Sequence, residues 1–334
     1  MNPYRLWLIS ETKPESPDEI HSSNQMIAWG LLTGFAQLPH VAVTHSRTQP
    51  REQDVQGKEW EAEIEAAPDA DFTLIHSYTP APIFDKMPLI RQKTRGQILW
   101  MSECPYPHMD HCFTFLPFFG SEQILFPALL PVMNESMVGV QRMPGSILLD
   151  HAWGWAEGHK YRGGPDPNLW CTRLYKWLEP WKDLIVVGQL ERPEHERLAG
   201  ITIPDWVRRV PGAFYPEYLR ATAPYENFIM THPGSYEHSI IDMVARGIRV
   251  LVPTPTVRHV HRDGWAIVQA GRPFAPLDTI ARFQLPMFSS KSELLDTLNT
   301  PFNGSSWREL CTDMSAVAKQ VDSYCQKVLN GSNR

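Results

Sequence analysis

An α/β fold built from two Rossmann-like domains is what this 334-residue sequence predicts. Three observations carry the prediction. Short apolar runs alternate with longer amphipathic stretches, the pattern of βαβ units and of a mainly parallel sheet with helices on both faces. A stretch rich in Gly and Pro, from His151 to Pro167, divides that alternation into two series. The length suits two cores of ordinary size.

In the first series, Leu6-Trp7-Leu8-Ile9 predicts a strand, residues 24–37 a helix and Val41-Ala42-Val43-Thr44 a second strand. Residues 58–67 read as helical, followed by strands at Phe72-Thr73-Leu74-Ile75 and Gln97-Ile98-Leu99-Trp100. Between Pro105 and Pro144 the chain is rich in Pro, Phe and Met, with elements expected at 123–126 and 135–138. After a helix over 169–178, the second series has strands at 184–187, 206–210, 227–230 and 249–252, and the tail from 305 to 329 carries one long helical pattern. The predicted division is an N-terminal domain over 1–150, a linker over 151–168, a second domain over 169–304 and a C-terminal helix over 305–334 that packs back across the domains.

Composition narrows the function classes. Hydrophobic residues make up 43% and charged residues 20%, so the chain is neither disordered nor fibrous, and no apolar run approaches the ~20 residues of a membrane span. A net charge of -6 speaks against a sequence-blind nucleic-acid binder. The apolar stretch Leu6–Ile9 is too short for a signal-peptide core, which points to the cytoplasm. Five cysteines without a C-x-x-C indicate neither a disulfide framework nor a zinc knuckle. Dinucleotide-dehydrogenase, P-loop and serine-hydrolase readings lack G-x-G-x-x-G, G-x-x-x-x-G-K-[ST] and G-x-S-x-G respectively. Asp69-Ala70-Asp71 fits a D-x-D metal pattern but precedes its strand, and reads as a turn.

Ligands bind beyond the carboxyl ends of parallel strands, so the residues just after each apolar run matter most. Strand Phe228-Ile229-Met230 is followed by Thr231-His232-Pro233-Gly234-Ser235-Tyr236-Glu237 and then a helix with Ile240, Ile241 and Val244 on its apolar face. Ser235 is a natural N-cap, and the free N–H groups of that first turn suit a phosphate or diphosphate. Asp242 offers a carboxylate for two ribose hydroxyls. The loop after Leu251-Val252 carries Arg258, His259, His261 and Arg262, a cationic stretch suited to donor phosphates or an acidic acceptor.

The segment Thr231–Glu237 followed by Asp242-Met243-Val244-Ala245-Arg246-Gly247-Ile248-Arg249-Val250-Leu251 resembles the nucleotide-sugar site of GT-B glycosyltransferases. Leu184-Ile185-Val186-Val187-Gly188-Gln189-Leu190 is similar to the strand and turn opening that family's donor domain, and Tyr215–Leu219 to the helix before its donor strand. The resemblance implies two domains facing across a cleft, with the nucleotide-sugar held mainly by the second. It implies donor contacts from Gly188, Arg192, His232, Gly234, Ser235, Tyr236, Asp242 and Arg258, with Glu237 as the acid facing the sugar. Glu237 precedes Asp242 by five residues, an interval shorter than the family's E-x7-E, where the corresponding residue is Gly234. Retention and inversion both stay open.

His76, after strand Phe72–Ile75, is a candidate base or sugar contact, because imidazole titrates near neutral pH. His21 is a second such histidine, and Glu103, after strand Gln97–Trp100, is a candidate base or acceptor contact. His108, Asp110 and His111 lie close in sequence but read as polar cleft lining, so no metal site is assigned. Trp153 and Trp155 read as core, with stacking on a sugar or base as the other possibility. The expected activity is glycosyl transfer from a nucleoside-diphosphate sugar, with no cofactor and no obligatory metal. The acceptor stays open among a glycan, a lipid-linked sugar, a small molecule, a protein and a modified nucleic-acid base. The alternatives are a sugar-nucleotide epimerase or hydrolase on the same scaffold, or a non-catalytic subunit acting through a protein partner.

Overall fold

The computed structural model of the chain describes residues 1–11, 14, 16, 19, 20, 23–47, 59–77, 81–102, 106, 108–115, 121–124, 127–151, 167–191, 193, 196, 201–212, 215–231, 238–253 and 282–331. They form two units, Met1–Leu130 with Thr312–Arg334, and Pro131–Cys311.

The first unit contains strands β1 (Tyr4–Ser10), β2 (Val41–Arg47), β3 (Phe72–His76), β4 (Ile98–Ser102), β5 (His111–Thr114), β6 (Glu122–Gln123) and β7 (Pro127–Ala128). Helices α1 (Ser23–Ala36), α2 (Glu59–Ala66), α3 (Ala81–Phe84) and α4 (Met87–Lys93) connect them. Six strands form a parallel sheet in the order β2-β1-β3-β4-β5-β6. β3 and β4 are buried at every position, as expected of parallel strands covered on both faces. Trp7, Ile9, Ile75, Ile98 and Trp100 build the core on one face.

After α5 (Leu130–Ser136), the second unit contains β8 (Ile147–Leu149), α6 (Pro167–Leu178), β9 (Val187–Leu190), β10 (Arg208–Val210), α7 (Tyr215–Thr222) and β11 (Asn227–Ile229). It continues with α8 (His238–Ala245), β12 (Arg249–Pro253), β13 (Met287–Phe288), α9 (Lys291–Asn299) and α10 (Ser305–Glu309). Its parallel sheet has the order β10-β9-β8-β11-β12-β13, which is the 3-2-1-4-5-6 arrangement of the Rossmann fold counted within the unit. Ile147, Leu149, Trp170, Leu174, Ile229 and Leu251 form its core.

The domain division and the tail differ from the sequence reading, and β9 covers 187–190 where a strand was expected over 184–187. β8 is a central strand of the second sheet, so the observed division falls near residue 130 and not at 150. Three residues suffice for β8 because β9 and β11 bond it on both sides. The tail is not one helix: Thr312 and Asp313 form β14, paired with β7, and the Asp313 side chain caps α11 (Met314–Leu329) by accepting from the Ser315 N–H. α10 thus belongs to the second unit and α11 to the first. There α11 packs on α1 at Gly30 and Gly34: a Cβ on Gly30 would overlap the Met314 side chain, and one on Gly34 would lie 2.8 Å from the Ala318 Cβ.

Candidate functional site

In the second sheet the strand order reverses between β8 and β11, so the ligand edge is where Asp150-His151 and Met230-Thr231 leave these strands. Four side chains fix that edge. The Asp150 N–H donates to the Ile229 carbonyl at 2.9 Å, and the Gln189 amide of β9 donates to the Asp150 carbonyl at 2.5 Å. The Tyr175 hydroxyl of α6 donates to Gln189 Oε1 at 2.8 Å, and the Thr231 hydroxyl donates to the His151 carbonyl at 2.5 Å. One Asp150 carboxylate oxygen accepts from the His151 N–H at 2.8 Å. Asp150 and Gln189 are fully buried.

Burial pushes the Tyr175 phenol well above its usual range, aided by neighbouring Cys171 and Glu196, so it stays a donor to Gln189. Burial also raises the Cys171 thiol to about 12, keeping it protonated. Beyond β9 and within β10, Arg209 lies 3.2 Å from both Glu191 and Glu196. The arrangement is a rigid polar floor at the place where Rossmann sheets receive nucleotides.

The structure places three of the expected site residues. Gly188 lies inside β9, where a Cβ would overlap the Tyr225 hydroxyl, so there is no room for a side chain. β9 is the second strand of its sheet and β8 the first, so the strand that opens this domain is not Leu184–Leu190. Asp242 is buried in α8; burial raises the Cys311 thiol to about 11, and the Asp242 carboxylate adds to that rise against the opposing pull of Arg282 and Arg308. His76 is described below. Glu103, Glu237, Arg192, His232, Gly234, Ser235, Tyr236 and Arg258 lie outside the described residues, as do His21, Trp153, Trp155, His259, His261 and Arg262.

The Ala245-Arg246-Gly247 triplet has a local structural reason. Gly247 has φ +71°, its N–H donates to the Val244 carbonyl and the Ile248 N–H to the Met243 carbonyl, both at 2.9 Å. This is a Schellman stop for α8. The buried Arg246 guanidinium turns back to the Leu219 carbonyl and the Thr222 hydroxyl, each at 2.8 Å, closing the end of α7.

The first sheet reverses between β1 and β3, whose carboxyl ends carry Ser10-Glu11 and His76-Ser77. The Ser77 hydroxyl donates to Glu11 Oε1 at 2.7 Å, and Ser10 Oγ lies 2.7 Å from His45 Nε2. His76 is fully buried, with Nδ1 3.1 Å from the Met101 carbonyl. A carbonyl only accepts, so Nδ1 carries the proton and Nε2 is the acceptor nitrogen. Burial holds the His76 pKa below the usual histidine value, against the opposing pull of Glu11 and that carbonyl. A neutral imidazole beside a buried carboxylate is competent to take a proton from a hydroxyl.

His108, Asp110 and His111 do not converge. Asp110 pairs with Arg91 at 2.5 Å and accepts from the Ile98 N–H, while His111 stacks on Tyr324 with ring centroids 4.0 Å apart. Asp71 accepts from the Arg5 N–H at 2.8 Å, a turn role for the D-x-D pair. Among the described residues, no His, Cys, Asp and Glu group is arranged to hold a metal ion. No helix among them is long and apolar enough to cross a membrane.

Sequence reasoning missed Asp150, Tyr175 and Glu11, and named Thr231 only as the first residue of the segment Thr231–Glu237. Asp150 and Glu11 each directly follow or close upon a buried strand, the signal that singled out His76.

No family model matches the chain, and no curated protein matches it in sequence. Solved structures do match. AviGT4, a glycosyltransferase involved in avilamycin A biosynthesis, is 12% identical with a TM-score of 0.58, over 98% of this chain and 99% of that one. Anabaena HepE, solved in complex with UDP-glucose, is 8% identical with a TM-score of 0.54, over 97% of this chain and 100% of that one. The UDP-GlcNAc 2-epimerase of Methanocaldococcus jannaschii is 8% identical with a TM-score of 0.55, over 96% of this chain and 99% of that one.

Proposed function

We propose, from the GT-B fold of this chain, that it transfers a sugar from a nucleoside-diphosphate sugar to a hydroxyl acceptor. The observation that carries the reading is the buried network of Asp150, Gln189, Tyr175 and Thr231, which fixes the backbone at the reversal point of a Rossmann sheet. The likeness to HepE, whose structure holds UDP-glucose, supports a nucleotide-sugar at this end.

In this reading, the diphosphate sits on the N–H groups of His232, Gly234, Ser235 and Tyr236, with Arg192 and Arg258 compensating its charge. Asp242 takes the ribose. Glu237 faces the sugar, Glu103 contacts the acceptor, and His76 takes the acceptor proton as the nucleoside diphosphate leaves the anomeric carbon. The chemistry asks for no cofactor and no metal.

A second reading, a sugar-nucleotide epimerase, is favoured by likeness to the Methanocaldococcus jannaschii enzyme on the same fold. Thermal unfolding with UDP-, GDP-, TDP- and CMP-sugars tests donor binding. A ligand at about 100 times its dissociation constant adds about 2.7 kcal/mol. The expected result is stabilisation by one nucleotide family, lost in Asp242→Ala; no stabilisation by any of them overturns both readings. Incubating the stabilising nucleotide-sugar alone then separates them. Epimerised sugar still attached to its nucleotide supports the second reading, and transfer that requires an added acceptor supports the first.

A further inference from the structure

The second unit carries a groove of about 480 Å³ at the amino-terminal edge of its sheet, opposite the ligand edge. Its walls are Gln141–Pro144, leading to β8, and Lys182–Val186, leading to β9. Both walls are held firmly. The Arg142 guanidinium donates to the carbonyls of Ala223, Tyr225 and Arg246, and the Met143 N–H donates to the Pro224 carbonyl at 2.8 Å. The Leu184 and Ile185 N–H groups both donate to the Trp181 carbonyl, at 2.9 and 3.0 Å.

On this fixed frame stand apolar side chains in open solvent. Leu184 is 81% exposed and Val186 39% exposed, while Met143, Pro144 and Ile185 line the groove beside them. Val138, a few residues before the first wall, is also exposed. Next to Leu184 in the chain are Lys182 and Asp183, both exposed, and neither has an ion-pair partner among the described residues.

We infer that this groove is a two-fold interface with a second copy of this chain. The commitment rests on self-complementarity. One short segment offers a protruding leucine, a groove to receive one, a positive charge and a negative charge. A two-fold axis through the groove sets Lys182 of each copy against Asp183 of the other and lodges each Leu184 in the facing groove. A foreign partner needs only one half of this set; a second copy uses all of it. The nine described residues that line the groove fall well short of the roughly 20–30 residues a side of a standard interface, so the dimer is concentration-dependent. Its position at the amino edge keeps the carboxyl edge of the sheet free, and the inference does not depend on what that edge binds.

Sedimentation velocity of the full chain from about 1 to about 100 µM tests it, because a small interface dissociates within that range. The expected result is a monomer–dimer equilibrium in which Leu184→Glu raises the dissociation constant at least about tenfold, as for a central anchor. Lys182→Asp and Asp183→Lys each weaken the dimer, and the double exchange Lys182→Asp with Asp183→Lys restores it. These positions are exposed, and an unchanged melting temperature for each variant confirms folding. A monomer throughout the range overturns the inference. So does a dimer indifferent to Leu184→Glu, or a double exchange no better than the single ones.

Discussion

Gly304 lies directly on Gly247: a Cβ built on Gly304 would stand 2.7 Å from the Gly247 Cα. The stop of α8 and the start of α10 therefore meet backbone to backbone. Gly304→Ala forces these segments apart and is expected to lower stability by about 1–3 kcal/mol, an overpacking cost. Gly247→Ala meets little in space, with Arg308 Cδ at 3.4 Å, but strains a backbone at φ +71° by about 1–2 kcal/mol. Urea unfolding of both variants checks this, and wild-type midpoints for both would refute it.

The Tyr175–Gln189–Asp150 chain predicts non-additivity. Tyr175→Phe leaves the buried Gln189 carbonyl oxygen without this donor, and Gln189→Leu leaves both the Tyr175 hydroxyl and the Asp150 carbonyl without theirs. Each stranded buried group costs about 1–3 kcal/mol. The double variant is expected to lose at least about 1 kcal/mol less than the sum of the singles. Simple addition in a double-mutant cycle would show that the chain does not act as a unit.

His76 predicts acid sensitivity. Its folded pKa lies below the unfolded value of about 6.5, so the unfolded chain binds the proton first as pH falls. The stabilisation is complete above about pH 6.5 and is lost as pH falls through the folded pKa. Melting temperatures between about pH 5 and 8 should fall more steeply for wild type than for His76→Gln, once normalised to the upper end of that range. Parallel curves would remove His76 as the cause.

At the α1–α11 contact, Gly34→Val is expected to destabilise the first unit by about 1–3 kcal/mol, because its Cβ would stand 2.8 Å from Ala318 Cβ and 3.2 Å from Ser315 Cα. Ala318→Gly in the Gly34→Ala background should recover part of the loss suffered by Gly34→Ala. Hydrogen exchange localises the effect: faster exchange confined to Pro131–Cys311 would contradict it.

β5 and β13 were not expected from the sequence and β9 covers 187–190 and not 184–187, but β1–β4 and β10–β12 were legible because continuous apolar runs such as Leu6–Ile9 and Phe72–Ile75 have few alternatives to a covered parallel strand. β8 was not. Ile147-Leu148-Leu149 is too short to announce itself and gains its place only from partners on either side. The break between α10 and α11 escaped notice because helical periodicity runs through Thr312-Asp313, whose strand pairing depends on residues 127 and 128. Of the candidate site, His76 could be found from its position after a strand, but the support of Asp150 by Gln189 depends on which strand is central. That order is a long-range property, and no local pattern encodes it.

The first unit is built from two separated stretches, and its last helix follows the whole of the second unit in the chain. Translation therefore releases every residue of Pro131–Cys311 before Met314–Leu329 exists to cover Gly30 and Gly34. During that interval the nascent first unit leaves α1 uncovered at Gly30 and Gly34, and completion of its core waits for the synthesis of α11. A stop codon near residue 311 would spare the sequence of the second unit and leave the first without its closing helix.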